Sequence, residues 1–411
     1  MKVFKFGGAS VYDAKGIRNI VDIIANESDN LLVVISAMGK MTNAFENLIN
    51  AYFSNDNYTK ELQFITDYHN RIIADLNIES CLFNEYLSLL EDELKQKCSK
   101  NYHYEYDRLI GYGELFSTII VWVYMRQNIG RTNWVDIRDV IKTDSNYRFA
   151  KVNWEKTLSN IQKSFDFSKK QIFLTQGFIA SDLLGKTTSL GREGSDYSAA
   201  ILSYGLNADS ITIWKDVEGV LDGDPRLFKN AKLIEHLSFY DAIELAFFGA
   251  QIIHPKTIQP LKNKKIPLHV KSFKNPENKG TLVSEKKANI NSPIVIIKDK
   301  QVLLSITSRD FSFVNEENIS SIFQVLSKYN VKVNLMQNGA VSFSVAVDYL
   351  QRSFSSMIHE LSENFDIRYN SNLKLVTIRH YTNEKIAELI ENKKIYLEQK
   401  SRNTAQFLLG E

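Results

Sequence analysis

The sequence predicts an α/β protein: a largely parallel sheet sandwiched by helices over residues 1–280, followed by ferredoxin-like α+β units over 294–411. Three observations carry this. Short apolar runs at 3–6 and 31–35 flank a stretch of helical spacing, and that β-loop-α-β order implies parallel strands joined by crossover helices. Glycines follow several of the apolar runs at once, as in strand-to-helix turns. Around 275–293, NPENKG and SEKKANINS collect turn formers and charge, and beyond them the pattern switches to β-α-β-β-α-β.

The elements follow in order. Residues 3–6 read as a buried strand broken by Gly7 and Gly8. The stretch 13–25 is helical, with Ile17, Ile20, Val21 and Ile24 on one face. Residues 31–35 form a continuous apolar strand. The stretch 44–100 is charged, helical and poor in breakers, and predicts a helical subdomain over one sheet edge. Residues 114–126 are an apolar helix, and 133–137, 172–175, 211–214 and 268–271 are strands. In the C-terminal part, strands are predicted at 301–307, 331–336, 340–347 and 373–378, with helices at 317–328 and 350–363 between them. This complete unit, about 301–372, is inserted in a shorter second one made of 294–300 and 373–411. A helix at 384–391 and short strands near Ile395 and Phe407 complete the latter. Such small units usually need a partner to cover a sheet edge, so a homodimer is expected.

The chain has 411 residues, room for two to three domains of roughly 150 residues each. Apolar residues make up 44% and the net charge is +2, so nothing basic calls for nucleic acid, and a small-molecule partner is expected. Cys81 and Cys98 lack metal-ligand spacing and fit a reducing, cytoplasmic setting. MKVFKFGG lacks the apolar core of a signal peptide. No apolar run approaches about 18 residues, so no membrane span is expected.

Four stretches carry chemistry. In KFGGAS a strand delivers Lys5, and Gly7, Gly8 and Ser10 offer backbone and hydroxyl donors to a phosphate; the alternative is a tight turn with a solvated lysine. In TTSLGREGSDYSAA, small residues surround Arg192, Glu193 and Asp196 at a helix start, a setting for an anion, with Ser195 or Asp196 as the helix cap. In WKDVEGVLDGDPR, Asp216, Asp222, Asp224 and Arg226 either meet a nucleotide or build successive turns. In GYGELFST, Glu114 either serves the helix dipole or, if buried, holds an ammonium group. His254, in GAQIIHP, reads as a turn residue. Several anion-binding glycine loops without a nucleophile–base pair point to phosphoryl transfer, which needs positioning and positive charge.

These motifs, with TQGFIAS and GAQIIHPKTIQP, stand in the order of the aspartate kinases, and the chain resembles that group of the amino acid kinase family over almost its whole length. The resemblance implies an amino acid kinase domain at 1–280 and ACT-type regulatory units in 294–411. It implies transfer of the γ-phosphoryl group of ATP to the side-chain carboxylate of L-aspartate, the entry to lysine, threonine and methionine. Lys5, Gly7, Gly8 and Ser10 would serve the phosphates, and Asp196 would organise Lys5. Thr42, Glu114, Phe178, Arg192, Ser195 and Asp196 would hold aspartate, Arg192 on its α-carboxylate and Glu114 on its ammonium. Lys215, Asp216, Leu221, Arg226 and Gln251 would lie near the nucleotide. Mg²⁺ would be held mainly by the phosphates. A lysine or threonine effector would bind between regulatory units of two subunits, around 311–319 and 333–342.

The chain departs from the group's pattern at several places: Ala9 for Thr, Glu193 for Gly, Gln251 for Lys, Lys215 for Thr, Leu221 for Tyr and Asn334 for Asp. Gln251 is the feature that would suit a non-catalytic, amino-acid-binding subunit of the same fold, and a kinase of another amino acid is the other alternative.

Overall fold

The computed structural model describes residues 1–168, 171–250, 253–287, 290, 292–310, 312–349 and 353–410. They form two compact units. The first comprises Met1–Val220, Leu233–Ile243 and Gln251–Ala288, the second Leu221–Lys232, Glu244–Ala250 and Asn289–Glu411.

The first unit is built on an eight-stranded sheet in the order Thr132–Val135, Ile172–Gln176, Leu31–Ile35, Lys2–Phe6, Ser210–Lys215, Leu268–Ser272, Thr281–Ser284, His236–Ser238. The pairing is parallel except between Leu268–Ser272 and Thr281–Ser284. The strand Leu31–Ile35 is buried at every residue because helices cover both faces, which is why it reads as an unbroken apolar run. The helix Ala14–Ala25 starts where Asp13 accepts the Gly16 N–H at 2.7 Å, and it buries Ile17, Ile20, Val21 and Ile24.

The helical stretch is not continuous. It divides into Met41–Phe53, Thr59–Leu76 and Cys81–Lys95, followed by Tyr102–Ile110 and Tyr112–Asn128. Asn55 and Asn77 are the breakers, both left-handed at φ 57° and 54°. Arg108 staples this layer, pairing with Glu105 at 2.6 Å and also with Glu93. His69 is fully buried there, and desolvation pushes its pKa down to about 4, so it stays neutral. The strand expected at 133–137 stops at Val135, since Asp136 accepts the Arg138 N–H at 3.0 Å and caps a short helix, Ile137–Val140. A minor sheet of Lys142–Thr143, Ile179–Asp182 and Thr187–Ser189 lies beyond the expected elements.

The second unit holds a six-stranded antiparallel sheet in the order Val333–Asn338, Ser342–Asp348, Ile294–Ser308, Phe365–Arg379, Thr404–Gly410, Lys394–Lys400. Two helices, Glu316–Lys328 and Phe354–Leu361, pack Ile322, Leu326, Met357 and Leu361 on Val302, Leu304 and Ile306. A third, Asn383–Ile390, packs Ile386 and Leu389 on Val376, Ile378 and Phe407. The strand closing the first β-α-β-β-α-β set is not 373–378. Residues 365–370 pair with 303–308, whereas 373–379 pair with the start of the preceding long strand and with 404–409. FDIRYN alternates Phe365, Ile367 and Tyr369 with polar residues, as a half-buried strand does, and Phe365 enters the core with Ile367 packed beside it; the more apolar run at 373–378 draws the sequence reading away from it. Leu350, within the expected helix 350–363, and Phe311 lie outside the described residues.

Candidate active site

The carboxyl ends of five neighbouring parallel strands open into one cleft of about 690 Å³ in the first unit. Lys5 comes from the first strand, Ser36 and Ala37 from the second, Phe178 from beyond Ile172–Gln176, Trp214, Lys215 and Asp216 from Ser210–Lys215, and Phe273 from beyond Leu268–Ser272. Backbone bonds carry the sheet pairing on into these loops: Ser36 N–H to Phe6 O at 3.1 Å, Gly177 N–H to Ile35 O at 3.0 Å, and Phe273 N–H to Lys215 O at 3.0 Å. The loops are therefore rigid extensions of the sheet.

Lys5 and Asp196 form an ion pair at 2.7 Å, both buried. The strand places the lysine, and the first turn of the helix Gly194–Leu206 places the aspartate. Gly7 caps a 3₁₀ turn, Gly8–Val11, and Gly39 N–H donates to Gly8 O at 3.0 Å. A Cβ on Gly8 would sit 2.8 Å from Ala37 O, so only glycine fits between the two loops. Ser10 is fully buried, lines the cleft, and its Oγ has no hydrogen-bond partner among the described residues. A lysine, glycine backbone and an unsatisfied hydroxyl suit a phosphate.

The other end of the cleft differs. Glu114, in the first turn of the helix Tyr112–Asn128, is 3% exposed and its Oε2 has no hydrogen-bond partner among the described residues. Burial pushes its pKa up to about 8, against the pull of hydrogen bonds from its own and the Ala37 backbone N–H. A buried carboxyl with an unused oxygen in an open cleft is a receptor for a cation. Arg192 is exposed at the same cleft and makes no ion pair among the described residues. Thr42, Phe178 and Ser195 line it too. Phe178 is left-handed at φ 70°, and its N–H donates to Ser198 Oγ at 3.0 Å.

The helix behind Arg192 starts at Gly194 with Glu193 as its cap residue, so neither Ser195 nor Asp196 caps it; both side chains face other work inside the first turn. Glu193 is left-handed at φ 53°, a conformation glycine adopts freely, which gives physical sense to the glycine expected there. Gly177 lies against this turn. A Cβ there would meet Ser195 Cβ at 2.5 Å and Cα at 2.7 Å. Gly177→Ala should therefore displace Ser195, costing about 1–3 kcal/mol of stability and at least a tenfold loss of activity; thermal melting and turnover measured together check this.

The model of the amino acid kinase family matches residues 1–272. The chain belongs to the amino acid kinase family. Among its relatives, this kinase is 30% identical to the lysine-sensitive aspartokinase 3 of Escherichia coli over 397 residues, 92% of this chain and 86% of that one. It is 29% identical to the chloroplastic aspartokinase 1 of Arabidopsis thaliana over 88% of this chain and 67% of that one. Solved E. coli aspartokinase III, in complex with aspartate and ADP, superposes with a TM-score of 0.82 at 27% identity, covering 100% of this chain and 96% of that one. The same enzyme in complex with lysine and aspartate gives 0.80 at 27% identity, over 99% and 95%. No helix among the described residues of the kinase is long and apolar enough to cross a membrane.

Of the residues expected at its nucleotide edge, Lys215 and Asp216 line the cleft, beside Trp214, whose buried indole N–H has no partner among the described residues. Leu221 and Arg226 belong to the second unit. There Asp222 accepts the Lys232 N–H at 2.7 Å, and Asp224 accepts the Arg226 N–H at 2.9 Å and pairs with its guanidinium at 2.6 Å, so these side chains build turns. Gln251 lies outside the described residues. His254 accepts the Lys256 N–H and caps the helix Pro255–Lys264, the turn role read from its sequence.

Among the cleft residues of the kinase that sequence reasoning missed are Gly39, Tyr106, Arg148 and Ser189. Gly39 carried the signal already used for Gly7, a glycine just beyond a buried strand. Tyr106, Arg148 and Ser189 carried none, because only the fold brings 102–110, 148 and 187–189 together.

Proposed function

We propose that this kinase transfers the γ-phosphoryl group of ATP to the side-chain carboxylate of L-aspartate, giving 4-phospho-L-aspartate and ADP. The observation that carries the reading is the division of one cleft. At one end Lys5, the glycine loop and Ser10 present donors to phosphates; at the other a buried Glu114 and an exposed Arg192 present one cation receptor and one carboxylate receptor. An α-amino acid has those two groups.

In the step, a side-chain carboxylate oxygen attacks the γ-phosphorus as the bond to the β,γ-bridging oxygen breaks, and ADP leaves. Lys5, with Gly7, Gly8 and Ser10, neutralises the phosphate oxygens, and Asp196 holds the Lys5 ammonium in place. Thr42, Phe178 and Ser195 wall the acceptor, Glu114 takes its ammonium and Arg192 its α-carboxylate. Lys215 and Asp216 lie along the nucleotide. The carboxylates of Asp196 and Asp216 and the Ser10 hydroxyl are hard oxygen donors that fit Mg²⁺ arriving with ATP. Bound there, Mg²⁺ would offset phosphate charge.

The catalytic domain spans about 1–280, and 294–411 form the regulatory region, a complete unit of about 301–372 within a shorter one. The region serves homodimerisation and amino-acid control of the entry to lysine, threonine and methionine, in the cytoplasm. Support for an amino-acid effector comes from the lysine complex of the E. coli relative. Asn334, the position expected to face an effector, is engaged internally: it accepts from Lys298 Nζ at 2.8 Å and donates to Gln301 and Asp348, each at 2.8 Å.

The test is aspartyl hydroxamate formation coupled to ADP release by the purified protein. Turnover with L-aspartate is expected, and amino-acid binding without turnover of any acid would overturn the reading. Arg192→Ala should raise the KM for aspartate about 100-fold, as loss of a charge-assisted bidentate contact implies, with the KM for ATP little changed. Equal effects on both would remove Arg192 from the acceptor site.

A further inference from the structure

We infer that Arg148 is a second acceptor-binding residue, its guanidinium pairing with a carboxylate of the acceptor, so that the cleft reads a dicarboxylic amino acid with two arginines. This rests on the aspartate-kinase reading of the same cleft.

Arg148 lines the cleft with Arg192 and Glu114. Its position is built at a cost. The backbone is left-handed at φ 68°, a conformation that disfavours any residue with a Cβ. What holds it is Asp107, which is fully buried and accepts the Arg148 N–H at 2.8 Å, the Ser189 N–H at 2.8 Å and the Ser189 hydroxyl at 2.6 Å. One carboxylate thus joins the helix Tyr102–Ile110, the loop at 148 and the strand Thr187–Ser189, all against the acceptor end.

The side chain is braced as well. Its guanidinium lies over the Tyr106 ring at 4.2 Å and near Tyr102 at 5.9 Å, and the Tyr106 hydroxyl donates to Glu46 at 2.9 Å. A planar cation stacked on an anchored ring keeps its fork of donors fixed at little entropic cost. Yet the Arg148 side chain makes no ion pair or hydrogen bond among the described residues. Strain, a buried support and an unused fork aimed along one cleft are the marks of a pre-organised anion receptor.

The charges of the acceptor call for one. Glu114 matches its ammonium and Arg192 its α-carboxylate, while Lys5 is held by Asp196 at the phosphate end. The reacting carboxylate must approach phosphate oxygens of like charge. A guanidinium on that carboxylate offsets the repulsion and fixes its orientation.

Arg148→Gly is the decisive variant, because it removes the fork, relieves the backbone, and keeps the N–H that Asp107 accepts. We expect a KM for L-aspartate raised about 10- to 100-fold, a KM for ATP within about twofold, a melting temperature no lower than wild type, and partial recovery of turnover with millimolar guanidinium ion. Arg148→Lys should recover less than the wild-type affinity, since an ammonium cannot form the fork. An unchanged KM for aspartate in Arg148→Gly, or equal rises for aspartate and ATP, would overturn the inference. Absence of wild-type turnover would instead overturn the aspartate-kinase reading. L-aspartate titrated against tryptophan fluorescence then decides Arg148: binding weaker in the glycine variant than in wild type, or lost from it, supports the inference, and equal binding by the two, or none by wild type, overturns it.

Discussion

Replacing Lys5 with methionine should lower kcat on the order of 10³-fold or more, about 4 kcal/mol of transition-state stabilisation. Lys5 is buried near the end of the strand Lys2–Phe6, lines the cleft beside the glycine loop, and sets its ammonium 2.7 Å from Asp196. Methionine keeps the length and the packing of the stem but removes the charge. The same change leaves Asp196 as a buried carboxylate without its cation, which should cost about 3–5 kcal/mol of stability. The two losses can be separated. In the double variant Lys5→Met/Asp196→Asn no charge is stranded, so thermal stability should return while turnover stays low. A double variant that regained turnover with its stability would show that Lys5 acts only by holding the fold.

Glu114→Gln should raise the KM for aspartate at least 100-fold and abolish the pH dependence of its binding. With a pKa near 8, Glu114 is largely protonated in the empty protein at pH 7. An arriving ammonium needs the carboxylate, so binding must expel that proton. Affinity should therefore rise with pH, up to tenfold per unit, until about pH 8 and then level off. Calorimetry at pH 7 in two buffers of different ionisation enthalpy should find nearly one proton released per aspartate bound, and none in the glutamine variant. The stability effect has a definite sign. The folded pKa lies above the unfolded value of 4.5, so the folded state holds the extra proton, and stability falls as pH rises from 4.5 through 8, by at most about 5 kcal/mol. Glutamine, a neutral isostere, should flatten that slope. Wild-type binding without proton release would mean that Glu114 is already ionised in the empty cleft.

The parallel core was legible because burial on both faces leaves strands such as Leu31–Ile35 wholly apolar, and because glycines must follow where loops cross closely, as at Gly8. Lys5, Glu114, Arg192 and Asp196, which the fold brings to one cleft, were legible as a group because each sits within a few residues of a strand or helix end. Arg148 and Asp107 were not. Their meaning depends on three segments far apart in the chain, and neither neighbours a motif. Asn55 and Asn77 were hidden differently, since asparagine in a polar helical stretch gives little sign of adopting left-handed backbone. The strand 365–370 carried a period-two signal in Phe365, Ile367 and Tyr369, but the more continuous apolar run at 373–378 next to it outweighed that signal.

That pairing has a mechanical consequence. Ile294–Ser308 and Phe365–Arg379 are each 15 residues long, and each runs through both ferredoxin-like sets, interrupted only by the irregularities around Lys298 to Leu303. The two sets are two ends of the same pair of beams, with no linker in which a displacement could be lost. A push at one end that slides one beam along the other must shift the register at the far end or break the ladder between them. The region should accordingly respond to an effector as one stiff plate, and neither half can be excised without cutting through hydrogen-bonded strand.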